Sequence, residues 1–190
     1  MLQFDGFIGL LDSRSFGTIW YWLLFAWVWW RAGFHVIGVP LDVMVKAHRA
    51  FTTESEDRQA VLVLLDWLSL TVSRWQVGSG LGAVFLGACC FILTSLGLLG
   101  FLYDLEMAQA LTLLLMPLAI MLWLRLRLAR KLLRLIQDAQ SEARPAIEVG
   151  GEAARKMVWH RRIVSLIAIL AAVMAGTWGM LWALMHPNGM

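Results

Sequence analysis

The segment from 77 to 103 contains no charged side chain, and this feature constrains the fold more than any other in the chain. A helix needs about 20 mostly apolar residues to cross the hydrocarbon core of a bilayer. Segments 16–39, 107–124 and 163–185 are also long and apolar enough to be candidates. We therefore predict an all-α integral membrane bundle of four transmembrane helices, forming a single membrane domain over residues 1–190.

The composition of the chain favours the same class of protein. Hydrophobic residues make up 60% and charged residues 15% of the 190 residues, whereas soluble domains are about half apolar and a quarter charged. The 11 Trp residues point the same way, because aromatic rings favour the membrane interface. The two cysteines, Cys89 and Cys90, are adjacent and form no CxxC motif, so neither a disulfide framework nor a zinc site is indicated.

Two polar stretches separate the predicted spans. After the first span, Thr53 and Glu56 have the spacing of a capping box, and apolar residues then recur at helical spacing: Val61, Leu62, Leu65, Leu68, Val72 and Trp75. This pattern predicts an amphipathic helix over 54–75 that lies on the membrane or packs against a partner. Residues 125–162 are predicted to form a helical hairpin. One long helix enters it from about 109 to 143, and the loop follows at Pro145 and the pair Gly150–Gly151.

The basic residues are distributed asymmetrically between the two sides of the predicted bundle. Of the 16 Lys and Arg residues, all but Arg14 lie on the side of segments 40–76 and 125–162. Short loops rich in Lys and Arg remain in the cytoplasm. Both segments are therefore predicted to be cytoplasmic, and both termini are predicted to lie on the opposite side.

Four patches of sequence carry a family resemblance: DSRSFGTIWYW, GVPLDVMVKAHR, LYDLEMAQALTLLLMPLAI and AGTWGMLWAL. They resemble a family of small alphaproteobacterial membrane proteins whose members are often labelled components of the Suf iron–sulfur assembly complex. The resemblance implies a location in the bacterial inner (cytoplasmic) membrane, with periplasmic termini. None of the patches is a catalytic signature, so the resemblance assigns no functional residue.

Two histidines form a possible cofactor pair. His35 and His160 are predicted near the cytoplasmic edge of the first and fourth spans, where two facing histidines could hold a haem from both sides. The alternative is a pair of interfacial histidines bonded to carbonyl groups or lipid headgroups. Because His186 has no partner for a second haem at the other face, we expect no cofactor and no metal.

Basic side chains mark a second candidate surface. Arg31 is either a functional residue within a span or, as we favour, an anchor whose guanidinium reaches the headgroups. The amphipathic run after the third span is predicted to bind anionic phospholipids or an acidic subunit: Arg125, Arg127, Arg130, Lys131 and Arg134. Nucleic acid is not expected, because no aromatic residues interleave with this run.

The aromatic first span is the predicted docking surface for a partner, through Trp22, Phe25, Trp27 and Trp29. The second span, with small residues such as Gly80 and Gly87, is expected to lie inside the bundle. No nucleophile–base pair, metal-ligand spacing or phosphate loop indicates an enzyme. We therefore predict a non-catalytic accessory or assembly subunit of a larger respiratory or photosynthetic complex. The alternatives are a small haem- or quinone-binding redox protein and a scaffold that recruits a soluble cytoplasmic partner.

Overall fold

The computed structural model describes residue 16 and residues 18–34, 37–52, 58–72, 79–141 and 143–185. Within these residues the chain contains six helices and no strand, which confirms the all-α prediction. The helices are α1 (Ile19–Phe34), α2 (Leu41–Thr52), α3 (Arg58–Val72), α4 (Ser79–Leu102), α5 (Glu106–Gln140) and α6 (Ala146–Met185).

The chain divides into two compact units. Unit 1 is drawn from Met1–Trp29, Gly78–Ile120 and Ile167–Met190, and unit 2 from Trp30–Val77 and Met121–Leu166. Unit 1 therefore contains most of α1, all of α4 and the apolar parts of α5 and α6. Unit 2 contains α2, α3 and the charged parts of α5 and α6.

Three helices are long and apolar enough to cross a membrane, which supports a membrane protein: Gly82–Leu102 within α4, and α5 and α6. The predicted first span, 16–39, is not among them. Helix α1 has 16 residues, so it extends about 24 Å at 1.5 Å per residue. The hydrocarbon core of a bilayer is about 30 Å thick.

The chain leaves α1 through a left-handed turn. Ile37 has a φ of 56° and Gly38 a φ of 83°, a region that only glycine occupies without strain. Helix α2 begins directly after Pro40, and the Met44 amide donates to the Pro40 carbonyl at 3.3 Å. Gly38 and Pro40 thus separate α1 from α2, a helix that the sequence analysis did not predict.

The hairpin formed by α5 and α6 differs from its prediction in where its loop falls. Helix α5 runs without interruption over 35 residues with Pro117 inside it, as predicted. Helix α6 then runs over 40 residues, so the loop predicted at Gly150–Gly151 is wrong. Both glycines lie inside α6 at close contacts, because a Cβ on Gly150 would collide with Val61 and one on Gly151 would collide with the ring of Phe51.

Unit 2 has an apolar core, formed by apolar residues of α2, α3 and the unit 2 segments of α5 and α6. On α5 this core includes Leu128, Leu132 and Leu135. The buried face of α3 comprises Val61, Leu64, Leu68 and Val72. The prediction placed Leu62 on this face, but Leu62 is 45% exposed. The predicted capping residues Thr53 and Glu56 lie outside the described residues.

Helix α4 has few buried side chains in unit 1. In its apolar segment 6% of the positions are buried, against 28% in α5 and 17% in α6. A Cβ on Gly80 or Gly87 would meet none of the described residues within 4 Å. The described residues therefore do not show these glycines packed inside the bundle, where the sequence prediction places the second span. Close packing occurs instead at Gly100, where a Cβ would lie 2.8 Å from the Gln109 amide nitrogen.

Candidate functional site

A buried polar pair stands at the start of α5. Glu106 is 5% exposed and accepts a hydrogen bond from the Phe16 amide at 2.6 Å. Gln109 is 1% exposed; its Nε2 donates to the Gly100 carbonyl at 2.8 Å, and its Oε1 accepts from Trp178 Nε1 at 2.8 Å. Satisfied polar groups in an apolar interior fix one packing arrangement. The pair thus joins α4, α5, α6 and the backbone at Phe16, and we interpret it as structural.

One face of α1 is a chain of aromatic contacts inside unit 1. Neighbouring rings lie 5.2–6.2 Å apart between centroids, the range that aromatic pairs favour. Tyr21, Phe25 and Trp29 are each buried, and the Tyr21 hydroxyl donates to the Ala110 carbonyl at 3.3 Å. This face therefore belongs to the protein's own core.

The opposite face of α1 is apolar and is exposed among the described residues. Trp20 is 75% exposed and Trp27 is 56% exposed, with Leu23 and Leu24 exposed between them. These four residues follow the i, i+3, i+4, i+7 spacing of one helix face, and we call them the outer stripe of α1.

The predicted docking residues fall on different sides of α1. Trp27 lies in the outer stripe, Trp22 is half-buried and donates from Nε1 to the Phe16 carbonyl at 3.0 Å, and Phe25 and Trp29 are buried. Buried residues have no surface to offer a partner. Of the four predicted docking residues, Trp27 is the one with a large exposed area among the described residues.

The basic side chains predicted to meet lipid are mostly exposed. Arg31 is exposed at the end of α1, and so are Arg130 and Lys131 on α5. Arg127 and Arg134 are exposed as well, and Arg125 is half-buried. The Arg127 guanidinium lies 5.4 Å from the ring centroid of Trp123, within the range of a cation–π contact.

A cleft of about 550 Å³ opens between α5 and α6 in unit 2. Helix α5 lines it with Leu124, Arg127, Leu128 and Lys131, and α6 lines it with Arg155, Lys156, Trp159, His160 and Ile163. On each helix these residues recur every three or four positions, so they belong to one face of that helix. We call this site the basic cleft.

A small ion-pair network lies at the start of α6. Arg144, in the preceding loop, donates to Glu148 at 2.5 Å and to Glu152 at 2.8 Å, and Lys156 donates to Glu152 at 2.5 Å. The hydrogen bond to Glu148, followed by that to Glu152, raises the pKa of Arg144 above its ordinary value. The basic cleft has four cationic residues, Arg127, Lys131, Arg155 and Lys156. Lys156 is paired with the carboxylate of Glu152.

Of the predicted histidine pair, His35 lies outside the described residues. His160 is 6% exposed, and its Nε2 has no hydrogen-bond partner among the residues that the structure describes. Within the same residues no group of three or more His, Cys, Asp and Glu side chains is arranged to hold a metal ion.

The sequence interpretation did not single out Arg155 and Trp159 as members of a site. They are four positions apart on α6 and so share a face. The spacing indicates that both residues lie on one face of α6, but it does not show that α5 forms the other side of the cleft. Gln109 was missed as well, although a polar residue one turn after Glu106 at the start of an apolar run is uncommon in a span.

Comparison with known proteins finds no match for this chain among family models, curated proteins or solved structures.

Proposed function

We propose that this protein is a non-catalytic accessory or assembly subunit of a larger energy-transducing complex of the bacterial inner membrane. It docks through the outer stripe of α1. In this proposal α1 lies within the first of four spans, 16–39, and residues 40–76 and 125–162 face the cytoplasm.

The observation that carries the proposal is the exposure of Trp20 and Trp27 on a helix whose other face is buried. Lipid chains are as apolar as these side chains, so burial of apolar area alone does not drive helices together in a membrane. Association depends on close packing, and large rigid rings supply contact area at low entropic cost. A helix that packs Tyr21 and Phe25 inward and leaves two Trp rings outward has a second packing surface to offer.

The test compares two exposed aromatic residues on different helices. Trp27→Leu keeps α1 apolar, removes one of the two rings of the outer stripe and spares the buried face. Phe91→Leu is the matched control, because Phe91 is 74% exposed on α4. We expect Trp27→Leu to weaken association with the partner complex about tenfold or more, the size of a hot-spot truncation. Copurification from mild detergent, quantified by mass spectrometry at equal protein levels, measures this.

Two results would contradict the proposal. One is full copurification of a Trp20→Leu, Trp27→Leu double variant. The other is an equal loss of partner with Phe91→Leu, because α4 would then share or replace α1 as the docking helix.

Helix α3 has a separate role in this proposal, as a helix lying along the cytoplasmic membrane surface. Its inward stripe packs on the core of unit 2, while Val63, Trp67 and Leu70 are 38–71% exposed. These three residues recur at i, i+4 and i+7, so α3 carries a second apolar stripe that can contact lipid.

A further inference from the structure

We propose that the basic cleft binds the phosphate group of an anionic phospholipid, with the lipid's acyl region against the apolar end of the cleft. The site combines α5 and α6, whereas the predicted lipid-binding surface was confined to Arg31 and the basic run of α5.

The charge of the cleft favours an anion. Its lining includes Arg127, Lys131, Arg155 and Lys156 and no carboxylate. Among the described residues only Lys156 of these four forms an ion pair, with Glu152. Arg127, Lys131 and Arg155 thus line the cleft without a carboxylate partner among the described residues. Guanidinium and ammonium groups form short, charge-assisted hydrogen bonds with phosphate oxygens, and arginine can do so through two parallel bonds.

A buried polar atom in the same lining gives an independent indication of a ligand. His160 is more than nine-tenths buried, and its Nε2 lacks a partner among the described residues. Buried polar atoms nearly always have a partner, so an orphaned one requires an explanation. A phosphate oxygen held by the neighbouring cations could accept a hydrogen bond from this nitrogen.

The position of the cleft favours a phospholipid over free phosphate. Leu124 ends the apolar run of α5, and Ile163 begins that of α6. Both line the cleft together with Leu128 and the 62% exposed ring of Trp159. The site is therefore basic at one end and apolar at the other, where the charged segments of α5 and α6 adjoin their apolar segments. Indole rings and basic side chains favour the membrane interface, where headgroups meet hydrocarbon.

The experiment measures lipid binding to the full chain purified in detergent. Native mass spectrometry records retention of phosphatidylglycerol, and phosphatidylcholine with the same acyl chains is the headgroup control. We expect the wild-type protein to retain phosphatidylglycerol and not phosphatidylcholine. Inorganic phosphate in millimolar excess should displace little of it, because it lacks the acyl contact. Equal retention of both lipids, or full displacement by inorganic phosphate, would contradict the proposal.

Variants then locate the site. Arg127→Gln with Arg155→Gln removes one cation from each wall, and we expect at least about a tenfold loss of affinity from two charge-assisted bonds. Lys46→Gln with Arg49→Gln removes the same charge from exposed positions of α2 that do not line the cleft. We expect that control to change affinity less than about threefold, the scale of a surface charge effect. Equal losses in both pairs would mean that net charge alone attracts the lipid, and the proposal would fail.

A third variant tests the buried histidine without changing any of the four cations. His160→Leu removes an unpartnered polar atom, so it should leave the thermal midpoint of the lipid-free protein unchanged or raised. We expect it to weaken phosphatidylglycerol binding several-fold. Unchanged affinity in this variant would exclude His160 from the site and overturn the proposal as stated. The docking residues of α1 play no part in these measurements, so the two proposals can fail separately.

Discussion

At the scale of single residues, the glycines of α4 serve different purposes although they share one helix. A Cβ added at Gly87 or Gly97 would meet none of the described residues within 4 Å, whereas one at Gly100 would contact the backbone of Gln109 and Ala108. The side chain of Gln109 also donates a hydrogen bond from Nε2 to the Gly100 carbonyl. A small residue is therefore required at Gly100 by the α4–α5 contact.

We predict that Gly100→Ala destabilises the protein and that Gly97→Ala does not. The added methyl at Gly100 would meet backbone atoms at 2.8–3.0 Å, which cannot move aside as a side-chain end can. Overpacking of this kind costs about 1–3 kcal/mol. Thermal unfolding in detergent, followed by tryptophan fluorescence, should show a midpoint lower by several degrees for Gly100→Ala, at roughly 2–4 °C per kcal/mol.

Gly97→Ala is the matched control for this prediction, with the same change on the same helix. Its midpoint should equal that of the wild type or exceed it slightly, because alanine is the better helix former. If both variants unfold at the wild-type midpoint, the close contact between Gly100 and α5 is not formed.

At the scale of elements, α3 shows how one helix can carry two apolar stripes. The stripe of Val61, Leu64, Leu68 and Val72 faces the core, and that of Val63, Trp67 and Leu70 faces outward. The periodicity of the sequence predicts an apolar helix over this segment. It does not separate the two stripes, because their apolar residues alternate along the chain. For that reason the sequence prediction places Leu62 on the buried face. Contacts with α2 and α6 decide which stripe is buried.

We predict that the outward stripe of α3 inserts into the membrane surface. Spin labels placed singly at Val63, Trp67 and Leu70 should be accessible to oxygen dissolved in the bilayer. Labels at Arg58 and Asp66, which are exposed on the same helix, should be accessible to a water-soluble nickel reagent instead. The depth should therefore vary with a period of about 3.6 residues. Equal access of the nickel reagent to all five labels in proteoliposomes would rule out the surface position.

At the scale of the whole molecule, the division of polar and apolar residues matches the division into two units. The core of unit 2 is apolar, while the exposed residues of its α5 segment include Arg130 and Lys131. In unit 1 the long apolar helices leave most of their side chains exposed. Such a surface is stable only in an apolar solvent.

We predict that both termini face the periplasm and that the α5–α6 loop faces the cytoplasm. Alkaline phosphatase is active only after export, so fusions after Asp104 and at the C-terminus should be active and a fusion after Gln140 should be inactive. The physical reason is the retention of short Lys- and Arg-rich loops in the cytoplasm.

Green fluorescent protein, which folds in the cytoplasm, gives the complementary control at the same three positions. It should fluoresce only after Gln140. An active phosphatase fusion after Gln140 together with a fluorescent fusion at the C-terminus would contradict the predicted orientation.

The sequence by itself determined the class of this protein and much of its local structure. The charge-free segment and the uninterrupted run of α5 both depend on residues near one another in the chain. Helical spacing, proline, glycine and hydropathy report on such local properties. The sequence also marked the basic residues of α5 and the aromatic residues of α1 as candidate surfaces.

Only the tertiary structure decided which faces are free. The pair Gly150–Gly151 has the composition of a loop, yet both residues lie inside α6, because α2 and α3 approach there too closely for a Cβ. Phe25 and Trp27 are equally aromatic in the sequence, and packing buries the first and exposes the second. The basic cleft depends on α5 and α6 meeting face to face, and its residues are separated by up to 39 positions, from Leu124 to Ile163. Helix pairing depends on shape over such distances, and local periodicity carries no information about it.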